Sequence, residues 1–213
     1  MRTGQTTDET FVASTAEAIK AAMPRLDETD RNVATAIHRL MSGGEAVDPP
    51  AIAQAAGVSV AEVNSRLDSW PGVFRYADGQ VAGFWGHAIA ALDPEYRLVA
   101  GDATTYGWCA LDTLFIPGII GKTVRVEASD PVSGDAVSLT VDAAGARDVT
   151  PAGARVSMVV PDGPFGYDVI DSFCHRVYFF ASEETGGKWV AEHPGTTLMS
   201  IQDAFELGRS IAP

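Results

Sequence analysis

Lys122-Thr123-Val124-Arg125-Val126-Glu127-Ala128 and Ala136-Val137-Ser138-Leu139-Thr140-Val141, separated by Ser129–Asp135, decide the fold. Each flank alternates apolar with polar residues, the period of a strand with one buried face. The interval holds Ser, Asp, Pro and Gly, residues that favour tight turns. The pattern predicts an antiparallel pair. Outward from it, Tyr96–Ala100 and 155–160 read as further strands, and 176–181 as a strand dense in aromatic residues. Helices are expected near 188–192 and over 200–210. This half of the chain therefore reads as an antiparallel β core with flanking helices.

The first half has a different texture. Residues 1–10 read as a tail and 11–23 as a helix stopped by Pro24. Thr29 or Asp30 can cap a second helix running to about Met41, with Val33, Ile37 and Leu40 at helical spacing. Ser42-Gly43-Gly44 breaks it. Pro49–Ala56 reads as a short helix, Gly57 as a turn, and Ser59 with Glu62 as a capping box opening another helix. Trp70-Pro71-Gly72 ends that helix, and a hairpin is expected around Ala77-Asp78-Gly79. The expected architecture is α+β: a tail and helix over 1–24, a helical, winged-helix-like unit over 25–84, and an α+β domain over 85–213.

A winged helix-turn-helix invites a DNA-binding reading, but the chain carries a net charge of −13. Affinity for DNA is largely electrostatic, and the helix after the turn offers only Arg66, beside Glu62 and Asp68. Nucleic acid and anionic membrane surfaces are not expected partners, and the unit is expected to pack as scaffold. With 46% hydrophobic residues a packed core is expected. No apolar run approaches the roughly 20 residues of a membrane span. Met1 to Phe11 lacks the basic start and apolar stretch of a secretory signal. A cytoplasmic location, where thiols stay reduced, is the working expectation.

The chain has two cysteines, Cys109 and Cys174. Each is either a small buried hydrophobe or a reactive thiol. Trp108-Cys109-Ala110-Leu111-Asp112-Thr113-Leu114-Phe115-Ile116-Pro117 is apolar enough to be buried, yet it holds a thiol and a carboxylate. On a helix, Cys109 and Asp112 share a face at i and i+3. A buried carboxylate is costly unless hydrogen-bonded or protonated, so Asp112 is either bonded to backbone or placed for a task. Cys109 is expected in the first helical turn, where the helix N-terminus stabilises a thiolate. Cys174 lies at the start of the aromatic segment, and its distance from Cys109 is open at this level. His175 is expected to face away from Cys174 by strand alternation. His38, His87 and His193 show no metal-ligand spacing. Trp108, Phe173, Phe179 and Phe180 are either pocket walls or core.

WCALDTLFIPGIIG (108–121) resembles the signature of the alkylmercury lyases, the organomercurial lyases of bacterial mercury resistance, and SFCHRVYFFAS (172–182) resembles their second signature. The intervening strands, Pro151-Ala152-Gly153 and the ending 201–208 are similar in order and spacing. The resemblance covers about 95–210 well, and 25–85 in organisation only. It implies protonolysis of a carbon–mercury bond to hydrocarbon and Hg(II), with Cys109, Cys174 and Asp112 as the catalytic and mercury-binding trio. It implies no cofactor, with Hg(II) bound as product. Implied partners are organomercurials, low-molecular-weight thiols, and mercuric reductase as an acceptor of Hg(II). Some family members carry a further cysteine near position 130, here Asp130, and another directly after the second catalytic cysteine, here His175. Neither belongs to the trio. The chemistry is coherent, since soft mercury prefers thiolate and a departing carbanion needs an acid within reach. The alternatives are a non-catalytic soft-metal binder using the same three residues and a metal-responsive regulator. The acidic surface disfavours the regulator, and a simple metal carrier has no need of a placed acid.

Overall fold

A computed structural model describes residues 9–212, so most of the tail expected over 1–10 lies outside the described residues. Helix α1 (Glu9–Ala22) is followed by α2 (Glu28–Met41). Asp27, not Thr29 or Asp30, caps α2: its Oδ1 accepts the Asp30 N–H at 2.7 Å, and Asp30 Oδ2 accepts the Asp27 N–H at 3.0 Å. The expectation misses because a reciprocal Asp pair can begin the helix earlier. Helix α3 (Pro49–Ala56) starts on Pro and ends on left-handed Gly57, and α4 (Val60–Ser69) carries the expected Ser59–Glu62 capping box. Val33, Ile37, Met41, Ile52, Val63, Leu67, Val81 and Phe84 form one apolar core between these helices and the following hairpin. Arg66 pairs with Asp30 at 2.7 Å, with both side chains mostly covered, so the single cation on α4 is already neutralised.

The hairpin of β1 (Val73–Arg75) and β2 (Val81–Phe84) runs on into β3 (His87–Ala88), β4 (Tyr96–Ala100) and β5 (Ala103–Gly107). After α5 (Ala110–Ile120) come β6 (Val124–Ser129), β7 (Ala136–Asp142), β8 (Gly145–Thr150) and β9 (Arg155–Val159). The first eight strands form one antiparallel sheet in the order β1-β2-β3-β5-β4-β6-β7-β8. In the β6–β7 pair, Val124 lies opposite Val141 and Val126 opposite Leu139. The alternation seen in sequence thus becomes one buried face, against which α5 packs.

A short helix α6 (Val169–Ser172) leads into a 3-10 turn over Cys174–Arg176, then β10 (Phe179–Phe180), α7 (Glu183–Glu192), β11 (Thr196–Ser200) and α8 (Ile201–Ile211). Strands β10 and β11 flank β9 in a second sheet. The strand expected over 176–181 shrinks to two residues because the chain winds at Cys174, where the Val177 N–H bonds the Cys174 carbonyl at 3.0 Å. Helix α7 begins earlier than expected, capped by Ser182. Its Gly186-Gly187 pair weakens the helical signal in sequence, but a side chain at Gly186 would meet Leu198 Cδ1 at 2.6 Å. Buried Asp130 ties the β6–β7 turn to α7. It accepts the N–H groups of Val132, Ser133 and Ala181 and the Thr185 hydroxyl. Position 130 is therefore filled by a fully partnered carboxylate.

Candidate active site

Helix α5 is buried along almost its whole length, and its N-terminus carries Cys109 and Asp112. Cys109 occupies the N-cap with extended backbone, one residue earlier than the expected first turn. Its N–H donates to Asp112 Oδ2 at 2.8 Å, which satisfies one of the donors a helix start leaves open. The thiol and carboxylate thus share one face of one turn, as the spacing predicts.

Cys174 reaches them through long-range hydrogen bonds. The Ala110 N–H donates to the Val177 carbonyl at 3.1 Å, and Val177 closes the turn begun at Cys174. Buried Ser157 on β9 fastens the same segment, since its hydroxyl donates to the Arg176 carbonyl and accepts the Tyr178 N–H, each at 2.9 Å. As a result the two sulfurs and an Asp112 carboxylate oxygen lie within 4.8 Å of one another, all three residues buried. All three sequence-predicted site residues come together. Two thiolates at this spacing can hold one soft ion between them.

Burial sets the protonation states. It pushes the Asp112 carboxyl up to about 6, although hydrogen bonds from Cys109 pull the other way. Burial also pushes the Cys109 thiol well above its ordinary range, and the hydrogen bond with Cys174 and the Asp112 charge push it further. The expectation of a thiolate stabilised by the helix N-terminus therefore fails at Cys109, because desolvation outweighs it. For Cys174 the hydrogen bond with Cys109 acts downward, and burial and Asp112 raise it on balance. Both sulfurs rest as thiols near neutral pH, beside a carboxyl that is mostly ionised.

Cys174 and Asp112 open onto an apolar cavity walled by Trp85, Trp108, Phe165 and Phe173, together with Ile19 of α1 and Met23 just after it; Cys109 is not among its lining residues. Trp108 and Phe173 are pocket walls, whereas Phe179 and Phe180 are core. His175 lies in the 3-10 turn rather than a strand. It is partly exposed, with Nδ1 at 3.2 Å from Asp171. His38, which lines the cavity, and His87 are buried with their Nδ1 atoms 3.4 Å apart. Burial holds His38 well below the usual imidazole range and brings His87 down to about 4. Sequence reasoning missed this pair because 49 residues separate its members. No third metal-ligating side chain joins it among the described residues.

Residues 90–213 match the family model described as Alkylmercury lyase. Curated alkylmercury lyases are similar over most of their length. That of Bacillus cereus is 34% identical over 171 residues, covering 80% of this chain and 76% of its own. That of Streptomyces lividans is 32% identical over 173 residues, covering 81% and 78%. That of Pseudomonas putida is 34% identical over 169 residues, covering 79% and 77%. The fold is shared with the crystal structure of the mercury-bound form of MerB2, with a TM-score of 0.73 and 22% identity over 96% of this chain and 98% of that one.

Proposed function

This chain belongs to the alkylmercury lyase family, and from that premise we propose how it breaks the carbon–mercury bond of an organomercurial: Cys174 and Cys109 take the mercury, and Asp112 delivers a proton to the carbon. The observation that carries this reading is the buried cluster of two thiols and one carboxylate within 4.8 Å at the base of an apolar cavity.

The cavity takes the organic group, and the sulfurs take the metal. Cys174 attacks first, because it faces the cavity and because its hydrogen bond with Cys109 eases its ionisation. Its sulfur displaces the substrate's counter-ligand, which leaves with the first thiol proton. The Cys109 sulfur then bonds the same mercury and gives its proton to the Asp112 carboxylate. Two soft donors push electron density toward carbon. As the carbon–mercury bond breaks, its electron pair takes the proton from Asp112. The products are hydrocarbon and Hg(II) on two thiolates, and Asp112 is again ionised. All electrons stay in pairs, so the scheme needs no redox or organic cofactor. Low-molecular-weight thiols then lift Hg(II) from the site, with mercuric reductase as a further acceptor, in a reducing cytoplasm. Among the described residues no helix is long and apolar enough to cross a membrane. Residues 25–84 serve as a scaffold unit that walls the cavity, without nucleic acid as a partner.

The purified protein with excess small thiol should convert phenylmercury to benzene and Hg(II). Gas chromatography checks this, and benzene no higher than in a thiol-only control would overturn the reading. A pH dependence follows from the carboxyl at about 6. Asp112 must be ionised in the free enzyme to accept a thiol proton, so kcat/KM should fall about tenfold per pH unit below 6. A flat profile from pH 5 to 7 would count against Asp112 as the acceptor.

A further inference from the structure

The turn between β2 and β3 consists of Trp85 and Gly86, both with positive φ, +37° and +85°. A tryptophan in that region is strained and persists only where its surroundings hold it. Two hydrogen bonds do so: the Trp85 N–H donates to the Gly72 carbonyl at 3.0 Å, and the Gly86 carbonyl accepts the Trp108 N–H at 2.9 Å. The second bond fastens the turn to the residue before Cys109. Gly86 thereby lies against the Asp112 side chain. A Cβ placed on Gly86 would overlap Asp112 Oδ1 and stand 2.5 Å from Cγ and 3.0 Å from Cβ. The other oxygen, Oδ2, is fixed by the Cys109 N–H. The carboxylate is thus held on one side by a hydrogen bond and confined on the other by bare backbone.

We propose that Gly86 is a positioning residue for this reaction: its missing side chain lets the Trp85-Gly86 turn confine the Asp112 carboxylate in the orientation that faces the two sulfurs. This rests on the reading of Asp112 as the proton carrier. Sequence alone carries no sign of it, since Gly86 lies 26 positions from Asp112 in an otherwise ordinary Phe-Trp-Gly-His stretch.

The test compares Gly86→Ala with Gly101→Ala. Gly101 also has positive φ, +62°, but nothing lies within 4 Å of a Cβ there, so it reports backbone strain alone. Gly86→Ala should lose about 100-fold or more in kcat, the scale of a misplaced reacting group. KM should stay within a few-fold, and mercury capture, read from the thiolate–mercury ultraviolet band, should be retained. Gly101→Ala should keep wild-type kcat. A thermal-melt cycle supplies a readout independent of activity. Gly86→Ala should lower Tm by roughly 3–10 °C more than Gly101→Ala, and most of that excess should disappear in an Asp112→Ala background, where the carboxyl is gone and only the Cβ contact at 3.0 Å is left. If Gly86→Ala alone does not fold, folding of the double variant supports the same conclusion. Wild-type kcat in Gly86→Ala, an equal Tm loss in both backgrounds, or failure of both to fold would overturn the proposal. Absence of hydrocarbon release from the wild type would instead sink the lyase scheme, while the melt cycle would still decide the Gly86–Asp112 contact.

Discussion

Asp112→Asn should release hydrocarbon about 10²–10⁴-fold more slowly than the wild type, the usual loss for a positioned acid or base, while melting no lower at pH 8. The two halves of this expectation have one cause. Asp112 is buried, and its carboxyl titrates near 6 rather than near its ordinary 3.8. The folded protein therefore binds this proton more tightly than the unfolded chain does. Stability from this group is greatest below about pH 4 and is lost as pH rises through 6, a penalty of about 3 kcal/mol when fully ionised. Asparagine carries no charge and can still accept the Cys109 N–H through its carbonyl, so the penalty disappears as the acid disappears. The advantage in Tm should fade toward pH 4, where Asp112 is itself neutral. Mercury capture should survive, because affinity for the soft ion resides in sulfur. Release, capture and melting measured on one preparation separate the possibilities. An Asn variant destabilised by about 1–3 kcal/mol, with near wild-type release per folded molecule, would make Asp112 a structural cap and leave the proton without a source.

Replacing either cysteine with serine should abolish turnover, yet the two variants should differ in what they still hold. A hydroxyl is a hard, weakly acidic ligand and does not replace a thiolate on mercury. Cys174 lines the cavity and Cys109 does not. Cys109→Ser should therefore still capture an organomercurial on Cys174, giving a stable one-to-one adduct that retains its organic group. Cys174→Ser leaves only the fully buried thiol, and adduct formation should slow by at least tenfold. Intact-protein mass spectrometry after a brief exposure to phenylmercury reads both. Equal rates of adduct formation would remove the assigned order of attack, and detectable turnover in either variant would remove the two-thiol scheme.

How far the sequence reached follows from which signals are local. Residues 122–141 announce a hairpin because one face is buried and the alternation has nowhere else to go. Strand β8 escapes notice because it is a largely exposed edge with little to bury, and β3 because it is two residues long. The Cys109–Asp112 pair is legible since one helical turn joins it. The approach of Cys174 is not, because it is fixed by hydrogen bonds to Val177 and Ser157, whose partners lie 19 to 67 residues away in the chain. Resemblance to a known family filled that gap, and periodicity could not have done so. The His38–His87 contact depends on how α2 meets β3, and the closeness of Gly86 to Asp112 on how the β2–β3 turn meets the start of α5, and nothing in the spacing of these residues points to them.

The stretch matched by the family model begins at residue 90 and contains Cys109, Asp112 and Cys174, the trio proposed to react, whereas roughly half of the cavity wall, from Ile19 to Gly86, comes from before it. Half of the chamber is thus contributed by chain that lies apart from the cysteines and the aspartate, with the Trp85-Gly86 turn as the point where that half touches Asp112. A variant library confined to Ile19, Met23, Leu26, Ala34 and Trp70 would reshape the chamber without touching the sulfurs or the acid, and so offers a route to retuning the enzyme toward bulkier pollutants.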